Sequence, residues 1–114
     1  MMSESYEKRP WGSFEVLYND TNYKIKRLII EPGKRISYQY HNQRSEFWVV
    51  VRGYGKFTQD DCVRLVEEGD TIHIPIGSHH RIENTSAENL IIAEVQLGVC
   101  DEADIIRIND DFNR

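Results

Sequence analysis

Turn-forming clusters recur along this chain at intervals of about ten residues, and that spacing leaves little room for helices. The clusters are NDTN (19–22), EPGK (31–34), HNQRS (41–45), QDDC (59–62), EEGD (67–70), PIGS (75–78) and NTSAEN (84–89). Between them lie short runs rich in β-branched and aromatic residues. These read as strands near Ser13–Tyr18, Lys24–Glu31, Arg35–His41, Glu46–Arg52, Gly55–Gln59, Val63–Glu67, Thr71–Ile74, His79–Asn84 and Leu90–Gln96. About nine short strands with almost no helical periodicity predict an all-β antiparallel sandwich or barrel. The segment DEADIIRINDDF (101–112) is the one place for a helical turn, because Asp101 and Glu102 suit a helix N-terminus.

Length and charge narrow the classes of function. A chain of 114 residues is expected to form one domain, here residues 9–114, behind a flexible polar tail at 1–8. Its net charge of −5 argues against nucleic-acid binding, which depends on neutralising phosphates. No apolar run approaches the ~20 residues needed to cross a bilayer, so no membrane association is expected. The N-terminal MMSESYEKRPWG has no apolar stretch of the kind that directs export, and a cytoplasmic location is expected. Cys62 and Cys100 then read as free thiols.

The stretch SYQYHNQRSEFW (37–48) departs from strand economy. Alternate strand residues share a face, so Gln39 and His41 point the same way while Ile36, Tyr38 and Tyr40 point the other. Glu46 follows a tight turn and returns towards His41, and His80 opens a later strand after the Pro75-Ile76-Gly77 turn. Two imidazoles, a carboxylate and a carboxamide oxygen then meet inside the fold. That mixed nitrogen and oxygen set suits one divalent ion such as Zn²⁺, Mn²⁺, Co²⁺ or Fe²⁺. By contrast His79 alternates away from His80, and His73 fits a pocket or an exposed surface equally. Trp11, Trp48 and Phe47 fit core or interface packing better than sugar stacking.

The two punctuated units, Pro32-Gly33 through Gln39, His41 and Glu46 to Gly53, and Gly69 through Pro75, Gly77 and His80 to Asn84, resemble the two motifs of the cupin superfamily. Gln39 stands where most cupins carry a first histidine, which resembles the phosphomannose isomerase branch. KRPWGSFEVL (8–17), YKIKRLIIEPGKRISYQYH (23–41), SEFWVVVRG (45–53), IPIGSHHRIEN (74–84) and AEVQLG (93–98) are similar to the C-terminal cupin domain of type II mannose-6-phosphate isomerases. The similarity runs from Arg9 to Arg114. It implies a double-stranded β-helix, or jelly-roll barrel, and a metal held by Gln39, His41, Glu46 and His80.

It also implies interconversion of mannose 6-phosphate and fructose 6-phosphate, in a domain often fused to a mannose-1-phosphate guanylyltransferase. In that chemistry Arg44, beside Glu46, is the candidate for stabilising an oxyanion. The base is either a metal-bound hydroxide or a carboxylate of the last strand, where Glu94 and Gln96 share a face. Lys24, Lys26 and Arg107 are candidates for the substrate phosphate, with Arg114 a further tail cation. Exposed sheet edges and the resemblance together imply a homodimer. The tail GVCDEADIIRINDDFNR (98–114) departs from the family pattern: a Tyr-Leu-Gly run is lost and Asn113 replaces a glycine. The alternatives are a metal cupin acting on another carbohydrate, or a sugar-binding cupin without turnover.

Overall fold

Alternation of apolar and polar side chains along the central strands buries one face of each of two antiparallel sheets. The computed structural model describes residues 6–114. One sheet has six strands in the order β1 (Tyr6–Arg9), β2 (Gly12–Asn19), β3 (Tyr23–Ile30), β10 (Leu90–Gly98), β5 (Arg44–Arg52) and β8 (Thr71–Ile74). The other has five, in the order β11 (Ile106–Asn109), β4 (Tyr38–Tyr40), β9 (His80–Asn84), β6 (Tyr54–Gln59) and β7 (Cys62–Glu67). Ile30, Trp48, Val50, Ile72, Ile74, Leu90 and Ile92 project from the first sheet, and Phe57, Val66 and Ile82 from the second; Ile36 joins them from the segment before β4. Each such side chain, fully buried, contributes roughly 1.5–3 kcal/mol.

The inner face of the six-stranded sheet changes chemistry along its length, and this places the site. Across β3, β10 and β5 the inward residues lie in register. Leu28, Ile92 and Val50 form an apolar row; Lys26, Glu94 and Trp48 form the next; Lys24, Gln96 and Glu46 form the one after. The same period-two alternation that builds the core therefore carries lysine, glutamate and glutamine into the interior at one end.

Two expectations need correction. The fold is all-β, but it is not a jelly-roll barrel of nine strands: among the described residues eleven strands form two sheets, and neither is closed. Among the described residues β1 and β8 end the six-stranded sheet, and β11 and β7 end the other. Alternation specifies which face is buried; it does not specify that the edges of a sheet meet. Nor does the tail hold a helical turn. Asp101 and Ala103 close a non-helical turn, with the Asp101 carboxylate accepting the Ala103 N–H at 2.9 Å, and Ile106–Asn109 then pairs with β4. Of the tail expected at 1–8, residues 1–5 lie outside the described residues, and Tyr6–Lys8 pair with Ser13–Glu15 of β2.

Candidate metal centre

His41, Glu46 and His80 reach one point from three parts of the chain. Glu46 projects inward from β5 and His80 opens β9, while His41 lies in the loop just beyond β4. The Pro75–Gly77 turn ties these segments together, because the Gly77 N–H donates to the His41 carbonyl at 2.8 Å. Gly77 has φ of 79°, a conformation that favours glycine, although a Cβ there would meet open space. All three side chains are out of water, at 2%, 1% and 0% exposure for His41, Glu46 and His80. One nitrogen or oxygen from each lies within 4.8 Å of the others.

The hydrogen bonds behind the two rings decide which nitrogen faces inward. His41 Nδ1 lies 2.7 Å from the Asp104 carbonyl, and His80 Nδ1 lies 3.0 Å from the Ser78 carbonyl. A carbonyl only accepts, so both Nδ1 atoms carry the proton and both Nε2 atoms present lone pairs. His41 Nε2 sits 3.3 Å from Glu46 Oε2, and His80 Nε2 sits 4.0 Å from Glu46 Oε1. His80 Nε2 is buried with no hydrogen-bond partner. An orphaned buried acceptor is costly. Here it converges with a second imidazole nitrogen and a carboxylate, so the residues fit a divalent cation by donor chemistry as well as position.

Charge agrees with that reading. Burial pushes the His41 pKa down to about 4 and lowers that of His80, so both rings are neutral ligands at pH 7. Burial alone would raise the Glu46 carboxyl, but the charges of His80, Arg44 and His41 outweigh it and hold it at about 2. With both imidazoles neutral, Arg44 is the charge that keeps Glu46 ionised near pH 7; its Nε donates to Glu46 Oε2 at 2.8 Å. Trp48, two residues on and on the same inward face, donates its indole N–H to Glu46 Oε1 at 2.9 Å. Each carboxylate oxygen keeps a further lone pair for an ion.

The other candidates separate into those the fold gathers and those it does not. Gln39 lies beside the cluster, with its Nε2 3.4 Å from His41 Nε2 and its Oε1 accepting from the Ser37 hydroxyl at 2.6 Å. A half-turn of the amide brings Oε1 to the site and lets Ser37 accept instead. Arg44 is buried against Glu46, with its NH2 3.4 Å from His41 Nε2. Glu94 faces the same interior, where burial and then the Glu46 charge push its pKa up to about 7. Gln96 donates to Glu94 Oε2 at 2.6 Å while its own Oε1 is buried and unpartnered.

A cavity of about 80 Å³ is lined by Gln39, Arg44, Glu46 and Glu94 on its polar side and by Trp11, Phe14, Leu28, Ile36 and Trp48 on its apolar side. The expected phosphate residues divide. Lys24 and Lys26 both donate to the Glu102 carboxylate at 3.2 Å, and Lys26 also lies 3.8 Å over the Phe14 ring. Arg107 stays at the cavity rim with Arg9 and Arg114. His73 stacks on Phe47 at 4.4 Å and His79 on Tyr40 at 4.7 Å, so neither joins the cluster.

Sequence reasoning missed Arg9, Glu102 and the ring-orienting carbonyls of Ser78 and Asp104. Glu102 and Asp104 act across long separations that no local pattern signals. Trp48 was open to discovery, since its i+2 spacing from Glu46 on β5 gives both the same face.

Comparison with known proteins identifies the family. Residues 2–110 match the model of the family described as mannose-6-phosphate isomerase C-terminal. The chain is 37% identical over 107 residues to a mannose-1-phosphate guanylyltransferase of Escherichia coli strain K12, covering 93% of this chain and 22% of that protein. It is 39% identical over 107 residues to the alginate biosynthesis protein AlgA of Pseudomonas aeruginosa, again covering 93% and 22%. The chain thus spans about a fifth of the length of these relatives. In fold it resembles the cupin domain of Schizosaccharomyces pombe Cnp3, with a TM-score of 0.73 at 11% identity, covering 80% of this chain and 74% of that one. With its motifs, its buried cation site and this match over nearly all its length, the chain belongs to the mannose-6-phosphate isomerase C-terminal family and is a cupin-type domain.

Proposed function

We propose that this chain is a metal-dependent aldose–ketose isomerase acting on a sugar phosphate, with mannose 6-phosphate and fructose 6-phosphate as the first pair. The observation that carries the proposal is a cation site that meets a cavity through Glu46 and Gln39, with Glu94, a buried carboxyl whose pKa is pushed up to about 7, lining that same cavity. Isomerisation removes a proton from carbon 2 and returns one to carbon 1, and a group near pH 7 in pKa is matched to both halves of that transfer. A divalent ion held by His41, Glu46 and His80, with Gln39 as the fourth residue, supplies Lewis-acid polarisation of the substrate oxygens.

The protein's own residues do the rest. Glu94 takes the proton at carbon 2 and delivers it at carbon 1, while the hydroxyl proton on O2 passes to O1. Arg44, held at Glu46, offsets negative charge developing on the substrate oxygens. Trp11, Phe14 and Trp48 keep the reacting end dry, which strengthens those interactions. The cavity takes only that end, and the phosphate extends to the rim at Arg107, Arg9 and Arg114. Arg107 is the preferred cation there, because Lys24 and Lys26 are already engaged by Glu102.

A coupled assay of fructose 6-phosphate formation tests this directly. Turnover is expected with added divalent metal and should vanish with a chelator, returning on re-addition of metal. Absence of metal-dependent turnover rejects the isomerase. Calorimetric binding of the sugar phosphate without conversion would instead identify a sugar-binding relative.

The proposed partner is a second copy of the chain. The outer face of the six-stranded sheet carries Phe47, Val49 and Val51 at 44%, 42% and 51% exposure, beside half-buried Ile25, Ile29, Ile91 and Val95. An exposed apolar face of this kind, interrupted by the Arg27–Glu15 ion pair, favours association on a small domain. Light scattering should give twice the chain mass, and a Val49→Glu, Val51→Glu double variant should give the chain mass. A wild-type monomer at micromolar concentration sinks this assignment.

A further inference from the structure

Residues 100–105 form a strap whose hydrogen bonds reach the two lysines of β3, Arg44 and His41. The Glu102 carboxylate takes Lys24 and Lys26 at 3.2 Å, and the Asp101 carbonyl accepts from Arg44 NH1 at 3.2 Å. The third contact is the His41 Nδ1–H bond to the Asp104 carbonyl, at 2.7 Å. Asp104 is itself clamped to the residues that follow His41. Its Oδ1 accepts the Asn42 N–H at 2.9 Å and its Oδ2 accepts the Gln43 N–H at 2.8 Å. The carboxylate of one residue thus holds the backbone that carries His41, while its carbonyl holds the ring. Its own N–H closes the turn on the Asp101 carbonyl at 2.9 Å, which fixes the direction of the strap.

We propose that Asp104 is a positioning residue for metal binding: from the C-terminal strap it selects the tautomer and direction of the His41 ring. The inference rests on the metal site proposed above. A neutral imidazole carries one proton, and the Nδ1–H form alone leaves a lone pair on Nε2, the atom 3.3 Å from Glu46. Without the strap the ring is free to turn and to exchange tautomers, so a cation must select the competent form from a mixture. Outer partners of ligating histidines typically account for 10–100-fold in metal affinity. The carboxylate is the part a substitution removes. Asp104→Ala loses both N–H contacts, and Asp104→Asn sets an amide NH₂ against a backbone N–H.

Two measurements on the full chain test this. Zinc titration against a chromogenic chelator should show 10- to 100-fold weaker binding in D104A and D104N than in the wild type. Nitrogen-15 NMR of the metal-free wild type should show the His41 proton on Nδ1, and in the variants a mixture of tautomers. A loss of global stability alone would not move that signature, and the wild-type spectrum decides the tautomer even where a variant fails to fold. Normal zinc binding by the wild type with equal affinity in D104A, or a wild-type His41 proton on Nε2, overturns this proposal alone. Failure of the wild type to bind zinc removes the metal site and this proposal with it.

Discussion

Replacing His80 by alanine should abolish stoichiometric binding of a divalent cation and, with it, sugar-phosphate isomerisation. His80 is fully buried, its ring packed edge-on to Trp48 at 5.7 Å and tilted against His41 at 5.2 Å. Its Nε2 is the one donor of the cluster with nothing else to bond. Removing a ligand costs more than removing the group behind one, so affinity should fall by more than about 100-fold. The metal-free protein should change far less. Loss of the ring leaves a small cavity, but it also removes an unsatisfied polar atom, and the two effects oppose each other. The signature is therefore in the response to metal. At a thousand times the Kd, metal should stabilise the wild type by about 4 kcal/mol. That corresponds to a rise in melting temperature on the order of 10–20 °C for a domain of this size. H80A should show no rise. A variant that melts higher with metal, as the wild type does, would place the ion elsewhere.

Glu94→Gln should lower kcat by about 10²–10⁴-fold, the range for losing a general base, while leaving metal binding intact. The glutamine side chain keeps the size of the glutamate and cannot exchange a proton at neutral pH. The same substitution should move stability in a direction set by linkage. The folded pKa of Glu94, about 7, lies above its ordinary value of 4.5. Below pH 4.5 both folded and unfolded chains hold the proton, and the group makes no difference. Between 4.5 and 7 the unfolded chain releases it first, so folding stability falls as pH rises through that window. Glutamine escapes this loss. In the metal-free protein E94Q should match the wild type near pH 4 and exceed it above pH 7 by about 3 kcal/mol, from 1.36 kcal/mol per pKa unit. Thermal melts across pH 4–8 check the sign. An E94Q variant with wild-type kcat would remove Glu94 from the proposed chemistry.

What the sequence made legible follows from which interactions are local. Period-two alternation shows that Lys24 and Lys26 share a face, that Glu94 and Gln96 share one, and that Glu46 points inward; all of this is read within single strands. Nothing in alternation says whether a sheet closes, and the barrel expectation failed there, since both sheets keep free edges. The two outer strands escaped for different reasons. YEKR of β1 has three charged residues in four and exists as a strand because β2 supplies its ladder. Ile106 and Ile108 of β11 do alternate, but the acidic run before them suggested a helix N-terminus. Those acids serve distant partners instead: Glu102 the two lysines of β3, Asp104 the loop after β4. Their roles depend on where the chain returns in space, and no sequence window of strand length contains both ends of such a contact.

X-ray absorption at the metal edge of the zinc-loaded protein tests the central claim most directly. The account predicts one equivalent of zinc in a shell of nitrogen and oxygen alone, at about 2.0–2.2 Å, with the multiple scattering of two imidazoles. A spectrum without imidazole scattering, a shell containing sulfur, or zinc retained at far less than one equivalent per chain would contradict it.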